Sequence, residues 1–508
     1  MADYKFLAGL NAGSIPLVTR FQQRSIVIPG TDNRMRDPSS SNTNNVDNNP
    51  GNLPQCIYME NIMPSAEGVF SAAYADIQAQ VGGENLFDEV FILRNEEEQT
   101  WFFSPAHGRN YVTATFGVAW ASTDPLAGIP VAADVSIAYV NGITYVCYAG
   151  LALLEWNGTN FIDQSGALTG VAIADIKAIC GSGSYLILGC TDLSVKWSSV
   201  VNPLDFVPSE LTGAGSQIPV DVRGSIIALT TVSGGFIIHC LQNAVAAVFT
   251  NNAAQPWIFR EVKNAGGIAD RKQVSTDNNS GATYIYGTNG LQQLDLRTAE
   301  NMFPDVTDFL AGKILETFNG TTSLLTISRL AANLFTKIAY ISGRYVVISY
   351  GTELGTYNYA LVYDKELHRW GKLKEDHVDC FSGYFEPRQS ICLLRDNGAV
   401  KQVIMDKRTA TAAGVLIMGR YQLSRSQQIC SQELTLEVLD GSDSASVQIA
   451  TNYNGTTLGE LRTMVEFEST DNYRNFQAQI EGENISYIIR GSYSIASMLL
   501  TVTKGARY

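Results

Sequence analysis

The sequence predicts an all-β protein whose body is a β-propeller of six to seven blades, with an N-terminal arm segment and a C-terminal antiparallel β-sandwich. Three observations predict it. A unit of short strands recurs between about 88 and 405, helical periodicity is scarce, and beyond about 415 the strands lengthen and change pattern. A chain of 508 residues exceeds one ordinary core, so a large repeat domain with additions fits its length.

The N-terminal segment, 1–80, reads as an arm with a few strands. FQQRSIVIPG at 21–30 offers one of them. TDNRMRDPSSSNTNNVDNNPGNL at 31–53 holds almost nothing that could be buried, which predicts a flexible loop. From 54 to 77 the alternation of a half-buried strand returns and leads into the propeller, 81–408.

Within 81–408 the repeats read 90–104, 136–156, 176–197, 226–249, 273–296, 337–363 and 379–403, with first turns near 96, 142, 183, 235, 281, 343 and 388. Most intervals are 40 to 52 residues and one is 62. That period, carrying several strands per repeat, marks propeller blades: each small sheet has two apolar faces that only its neighbours can cover. A pair of β-sandwiches is the competing reading of the same strands.

VKWSSVVNPLDFVPS at 195–209 shows how a repeat ends. Val195 and Trp197 alternate with Lys196 and Ser198, one oily face and one wet. Asn202-Pro203 then fixes a turn, Asp205 can bond back to nearby amides, and Phe206 is left to dock beneath. Trp156, Trp197 and Trp370 each close such a unit and are expected to seal the gaps between sheets.

The long interval contains the two helix candidates, 306–318 and 324–335, where Phe309, Leu310, Ile314, Leu315 and Phe318 share a helical face. A helical insert near 306–335 is the expectation. From 409 to 508, longer alternating strands with hairpin turns at Asp440-Gly441 and Asn454-Gly455 predict the separate sandwich.

Acidic residues outnumber basic ones 49 to 35, a net charge of −14. This argues against a nucleic-acid clamp, which needs clustered Lys and Arg to displace counterions from phosphates. The N-terminus shows no signal-peptide pattern and no apolar run reaches the length of a membrane span, so a soluble product made in a cytoplasm is expected. The eight cysteines, at 56, 147, 180, 190, 240, 380, 392 and 430, form no C-x-x-C pair and read as reduced core residues.

No motif supplies a catalytic, cofactor-binding or metal-binding set. STDNNSGATY at 275–284 has the wrong spacing between Asp277 and Gly281 for the sialidase Asp box. Among four histidines, at 107, 239, 368 and 377, only His239 adjoins a cysteine, and adjacent strand residues face opposite ways. Glu96 to Glu98 and Asp440 to Asp443 lack the spacing of calcium loops and read as solvated turns. GSGS at 181–184 precedes a strand, so no helix N-terminus stands ready for phosphate.

Several stretches, in order, resemble a known family. They are PQCIYMENIMPSAEGVFSAAYAD at 54–76, KWSSVVNPLDFVPS at 196–209, LVYDKELHRWGKL at 361–373, GRYQLSRSQQICSQELTLEVL at 419–439 and GSYSIASMLLTVTKGARY at 491–508. Together they resemble the tail nozzle, or tail-hub (tail tubular, DNA-stabilisation), proteins of short-tailed, podovirus-type bacteriophages. The likeness runs from about 20 to the end and fails at 31–53, where nothing aligns.

The resemblance implies a structural virion protein without catalytic residues. It implies a six-fold ring beneath the portal and adaptor that retains packaged DNA and lets it leave, with attachment points for fibres or spikes. Six copies would carry a nominal −84, six times −14, and an acidic lumen would give passing double-stranded DNA few places to stall. Two other readings stand beside it: a receptor-binding or adhesin-like propeller of tail-fibre or spike type, and a glycan-cleaving enzyme.

Overall fold

The computed structural model describes strand residues 3–8, 23–25, 56–64, 69–76, 89–94, 100–104, 109–112 and 121–122, then 134–302 apart from 159, 253 and 278–280. It further describes 315–318, 321–324, 336–351 apart from 342, 356–382 apart from 367–368, 391–404, 412–421, 429–438, 444–451, 461–468, 473–482 and 485–504. Among these, helix is confined to 3-10 turns at Ser165–Ala167, Ile173–Asp175 and Arg271–Gln273.

The protein is a β-propeller. Seven antiparallel leaves of four strands stand among the described residues, within 91–122, 135–163, 176–217, 226–261, 274–301, 336–377 and 379–404; the sixth is continuous with an eleven-stranded sheet, and the seventh has three of its strands in 379–404. We number them blades 1 to 7. Each runs outward from its first strand, and the turns suit the tight reversals this needs. Asn141 and Gly142 both take positive φ, 51° and 86°, between the first two strands of blade 2, the backbone of an Asn-Gly hairpin turn.

Two-blade cores fill the gaps between five pairs of adjacent blades, as the repeat period predicts. Phe103 and Leu93 of blade 1 pack with Val146, Trp156 and Phe161 of blade 2. Blades 2 and 3 share Tyr145, Cys147, Ile179 and Leu188, and blades 3 and 4 share Ile187, Trp197, Phe236 and Trp257. Ile237, Ala246, Ile285 and Leu294 join blades 4 and 5, and Val347, Val362, Ile391 and Leu393 join blades 6 and 7. Polar side chains stitch the first strands as well: Ser136 Oγ accepts from the Ile179 amide at 3.0 Å, and Ser275 Oγ from the Tyr340 amide at 2.8 Å.

Blade 7 takes its fourth strand from far upstream. Asp379–Ser382, Ile391–Leu394 and Val400–Ile404 are completed by Ala73–Asp76, in the register Lys401 with Asp76 to Ile404 with Ala73. The other N-terminal strands lie in other sheets. Cys56–Glu60 pairs with Gly414–Tyr421 in a five-stranded sheet, and Asp3–Ala8 runs antiparallel to Ser494–Lys504.

The expected helical insert is corrected. Leu315–Phe318 and Thr321–Leu324 form an antiparallel hairpin, while 306–314 and 325–335 lie outside the described residues, as does the loop at 31–53. Local chemistry accounts for it. Asn319-Gly320 is a strong hairpin dipeptide, and Thr317, Thr321 and Thr322 beside it are β-branched, which outweighs the apolar periodicity of the flanks.

Candidate functional site

The polar centre of the molecule is an ion network where first strands begin. Glu89 stands two residues before Phe91–Arg94 of blade 1, Asp134 one residue before Val135–Val140 of blade 2, and Asp379 opens blade 7. Lys337 is the second residue of Thr336–Ile341 in blade 6. Arg271 opens the 3-10 turn before blade 5, a turn closed by a capping box between Asp270 and Gln273. Five of the seven blades thus set a charge at or near the start of the first strand.

Glu89 and Arg271 form a two-pronged pair, with one arm at 3.1 Å. Lys337 Nζ lies 3.5 Å from Glu89 Oε1 and bonds directly to Asp379. Asp379 also accepts from the amides of Val90 at 2.8 Å and Cys380 at 2.6 Å, and Arg271 Nε lies 3.8 Å from Asp134. In a seven-bladed circle the neighbours of blade 1 are blades 2 and 7. Contacts from blades 5 and 6 to Glu89 therefore reach across the axis and bar it.

Burial makes the network matter. Glu89 is 5 % exposed, Lys337 7 % and Asp379 1 %. Burial alone would raise the Glu89 pKa, but Arg271 and Lys337 outweigh it and hold the carboxyl down at about 2. Asp379 goes the other way: burial and the Glu89 charge raise it, against the pull of Lys337. Both cations shift upward, since the carboxylates beside them more than offset their burial.

A second buried polar group lies close by. His377 Nε2 meets Ser349 Oγ at 2.8 Å, its Nδ1 meets the carbonyl oxygen of Glu375 at 2.6 Å, and Ser349 stands 3.6 Å from Cys380 Sγ. With Nδ1 donating to the carbonyl, Nε2 accepts from the serine, a pairing that resembles a base and its nucleophile. Yet Ser349 is fully buried, and burial, helped by Lys337, depresses His377 to about 4. The pair braces two strands of blade 6 from within, and Ser349 alone reaches blade 7, at Cys380.

His239 meets Thr230 Oγ1 at 2.8 Å, while Cys240 packs in the apolar core between blades 3 and 4. The six cysteines whose side chains are described are free and buried. His107, His368 and the acidic runs at 96–98 and 440–443 lie outside the described residues. No helix among the described residues is long and apolar enough to cross a membrane.

The motif stretches hold structural roles. Phe206 is 1 % exposed under its turn, Asp205 Oδ1 accepts from the Val207 amide at 3.1 Å and from Thr169 at 2.7 Å, and Asn202 Oδ1 from Leu204 at 3.0 Å. Asp364, fully buried, receives Arg344 in a forked pair at 2.6 to 2.9 Å and caps the turn by accepting from the Glu366 amide. Trp156 and Trp197 sit in the shared cores of blades 1–2 and 3–4. Trp370 packs at a tilt of 41° against Tyr363 of its own blade, 5.0 Å between rings.

Sequence reasoning passed over Glu89, Arg271, Lys337 and Asp379. The available signal was positional: Glu89-Val90, Asp134-Val135, Lys337-Ile338 and Asp379-Cys380 each set a charge beside an apolar residue near the start of a repeat.

Comparison of the sequence with known protein families and with curated proteins finds no match. Solved structures do resemble the fold. BamB from Moraxella catarrhalis is 11 % identical, with 69 % of this chain and 99 % of that one covered and a TM-score of 0.35. YCF48 bound to D1 peptide is 11 % identical over 66 % and 96 %, and the computationally designed Ika8 protein 12 % identical over 65 % and 99 %, both at a TM-score of 0.38. Nothing about function follows at such scores.

Proposed function

We propose that this chain is the structural subunit of a short phage-tail nozzle, assembled as a six-fold ring that retains packaged DNA and releases it into the host. The ordered stretches from 54 to 508 that resemble that family support the reading. The barred axis carries it further. A propeller whose centre is crossed by Arg271 and Glu89 offers duplex DNA no route through one chain, so the passage runs between copies and the blades serve as its wall.

In this reading the subunit is made in the host cytoplasm and built into the virion beneath the portal and adaptor. Fibres or spikes attach outside, and DNA passes without sequence-specific binding. The surplus of acid, −14 per chain, keeps that passage free of phosphate contacts.

Native mass measurement of the purified protein with portal and adaptor present tests it. Six copies of the 55.2 kDa chain, about 331 kDa, are expected, together with no retention of duplex DNA at about 0.1 M salt. A trimer would favour the adhesin reading. A tight, steeply salt-dependent DNA complex, or absence of the chain from virion tails imaged by electron microscopy, would overturn the proposal.

A further inference from the structure

The segment from Ile62 to Asp76 serves two structures at once. Ile62–Pro64 extends blade 6, pairing through Ile62 with Lys372, and Val69–Ser71 folds back on it. The far edge of Val69–Ser71 takes the C-terminal strand, with Phe70 opposite Ser494 and Val69 opposite Ile495. After Ala72 alone the chain becomes the closing strand of blade 7, Ala73–Asp76.

The joint is buried and knit by hydrogen bonds. Ser71 Oγ accepts from the Tyr493 amide at 2.9 Å and lies 3.1 Å from the Gly491 carbonyl oxygen, while the Ser71 amide donates to Tyr493 O at 2.8 Å. Ser71 and Tyr493 are both inaccessible. A Cβ on Gly414 would lie 2.7 Å from Ile62 Cδ1, so the strands are in close contact. Met63, Phe70 and Ala72 share one apolar cluster with Ile391, Leu393 and Val403 of blade 7.

We propose that the C-terminal strand, Ser494–Lys504, is the latch of the propeller. Among the described residues, the strand pairing that closes the circle of blades is the four-residue ladder between Ala73–Asp76 and Val400–Ile404, beside the bond from the Val90 amide to Asp379. One residue separates that ladder from the Ser71–Tyr493 joint, with a shared core behind both. Undoing the joint therefore loosens blade 7, and a partner that engages the C-terminal strands acts on propeller closure. The coupling is reciprocal.

Hydrogen exchange of the full chain tests this. Ser71→Ala leaves the Tyr493 amide without its buried acceptor, and exchange is expected to rise roughly tenfold in 494–504 and, by a similar factor, in 73–76 and 400–404. Blades 3 and 4 should keep their protection. A rise confined to 494–504, or no rise in either region, overturns the latch. A disulfide between Ala75→Cys and Gln402→Cys, which are register partners, provides the converse arm. Its oxidation should slow exchange in 494–504, and unchanged exchange there also overturns it.

Discussion

Glu89 and Arg271, 182 residues apart in sequence, meet as a forked ion pair on the axis of the propeller, with Lys337 closing the other side of the same carboxylate. The arrangement ties the starts of blades that are not neighbours, so it resists shear of the circle as a whole. It also fixes how the protein should respond to loss of one charge.

Glu89→Gln should destabilise the fold by about 3 kcal/mol, because it leaves buried Arg271 with only the longer contact to Asp134 and Lys337 with Asp379 alone. Removing both members, Glu89→Leu with Arg271→Met, should recover most of that loss, since two desolvated charges disappear together. Urea midpoints of the two variants check it. A double variant weaker than the sum of the singles would contradict this account.

Acid should weaken the protein before its carboxylates titrate. Burial depresses His239 to about 3, and burial with Lys337 depresses His377 to about 4, against an ordinary value near 6.5. The unfolded chain therefore binds more protons in this window. Stability is complete above about pH 6.5 and falls toward pH 4, by about 1.4 kcal/mol per pH unit for each histidine. Glu89, held near 2, adds a loss below its usual range, while the raised Asp379 works in the opposite direction. Urea midpoints from pH 7.5 to 4.5 measure the slope, and His377→Gln should flatten it.

Much of the fold was legible because it rests on local chemistry. Strand alternation, Asn-Gly turns and a fixed period specify blades, and the Asn202-Pro203 turn with Phe206 beneath it lies where its residues require. The axial network was illegible for the converse reason. Its members are single charges separated by up to 290 residues, and only closure of the circle brings Glu89 and Asp379 together. The hairpin at 315–324 was misread because the apolar spacing of 306–318 also fits a helix, and periodicity cannot weigh a turn dipeptide.

The turn over blade 3 depends on a glycine. Gly170 has φ +78°, and a Cβ there would come within 2.6 Å of the Phe206 carbonyl carbon. Gly170→Ala should cost about 2 kcal/mol through backbone strain and this clash, and Phe206→Ala about 3 kcal/mol through the cavity it leaves. Both should make 198–214 sensitive to limited proteolysis in the folded protein. Wild-type resistance in either variant would show that the turn holds without its dock.

Blades 5 and 6 are joined by a cation over two rings. Tyr284 and Tyr340 stack at 5.5 Å, Lys365 Nζ lies 4.9 Å from the Tyr340 centroid and 5.5 Å from that of Tyr284, and Asp277 stands 3.7 Å from the same nitrogen. Lys365→Met keeps the aliphatic stem but removes the charge, so its loss should be about 1 kcal/mol, the worth of a partly shielded cation–π contact. In a double-mutant cycle with Tyr340→Leu the two losses should fall short of additive by a similar amount. Strict additivity would mean that the lysine is held by Asp277 and that the rings contribute packing alone.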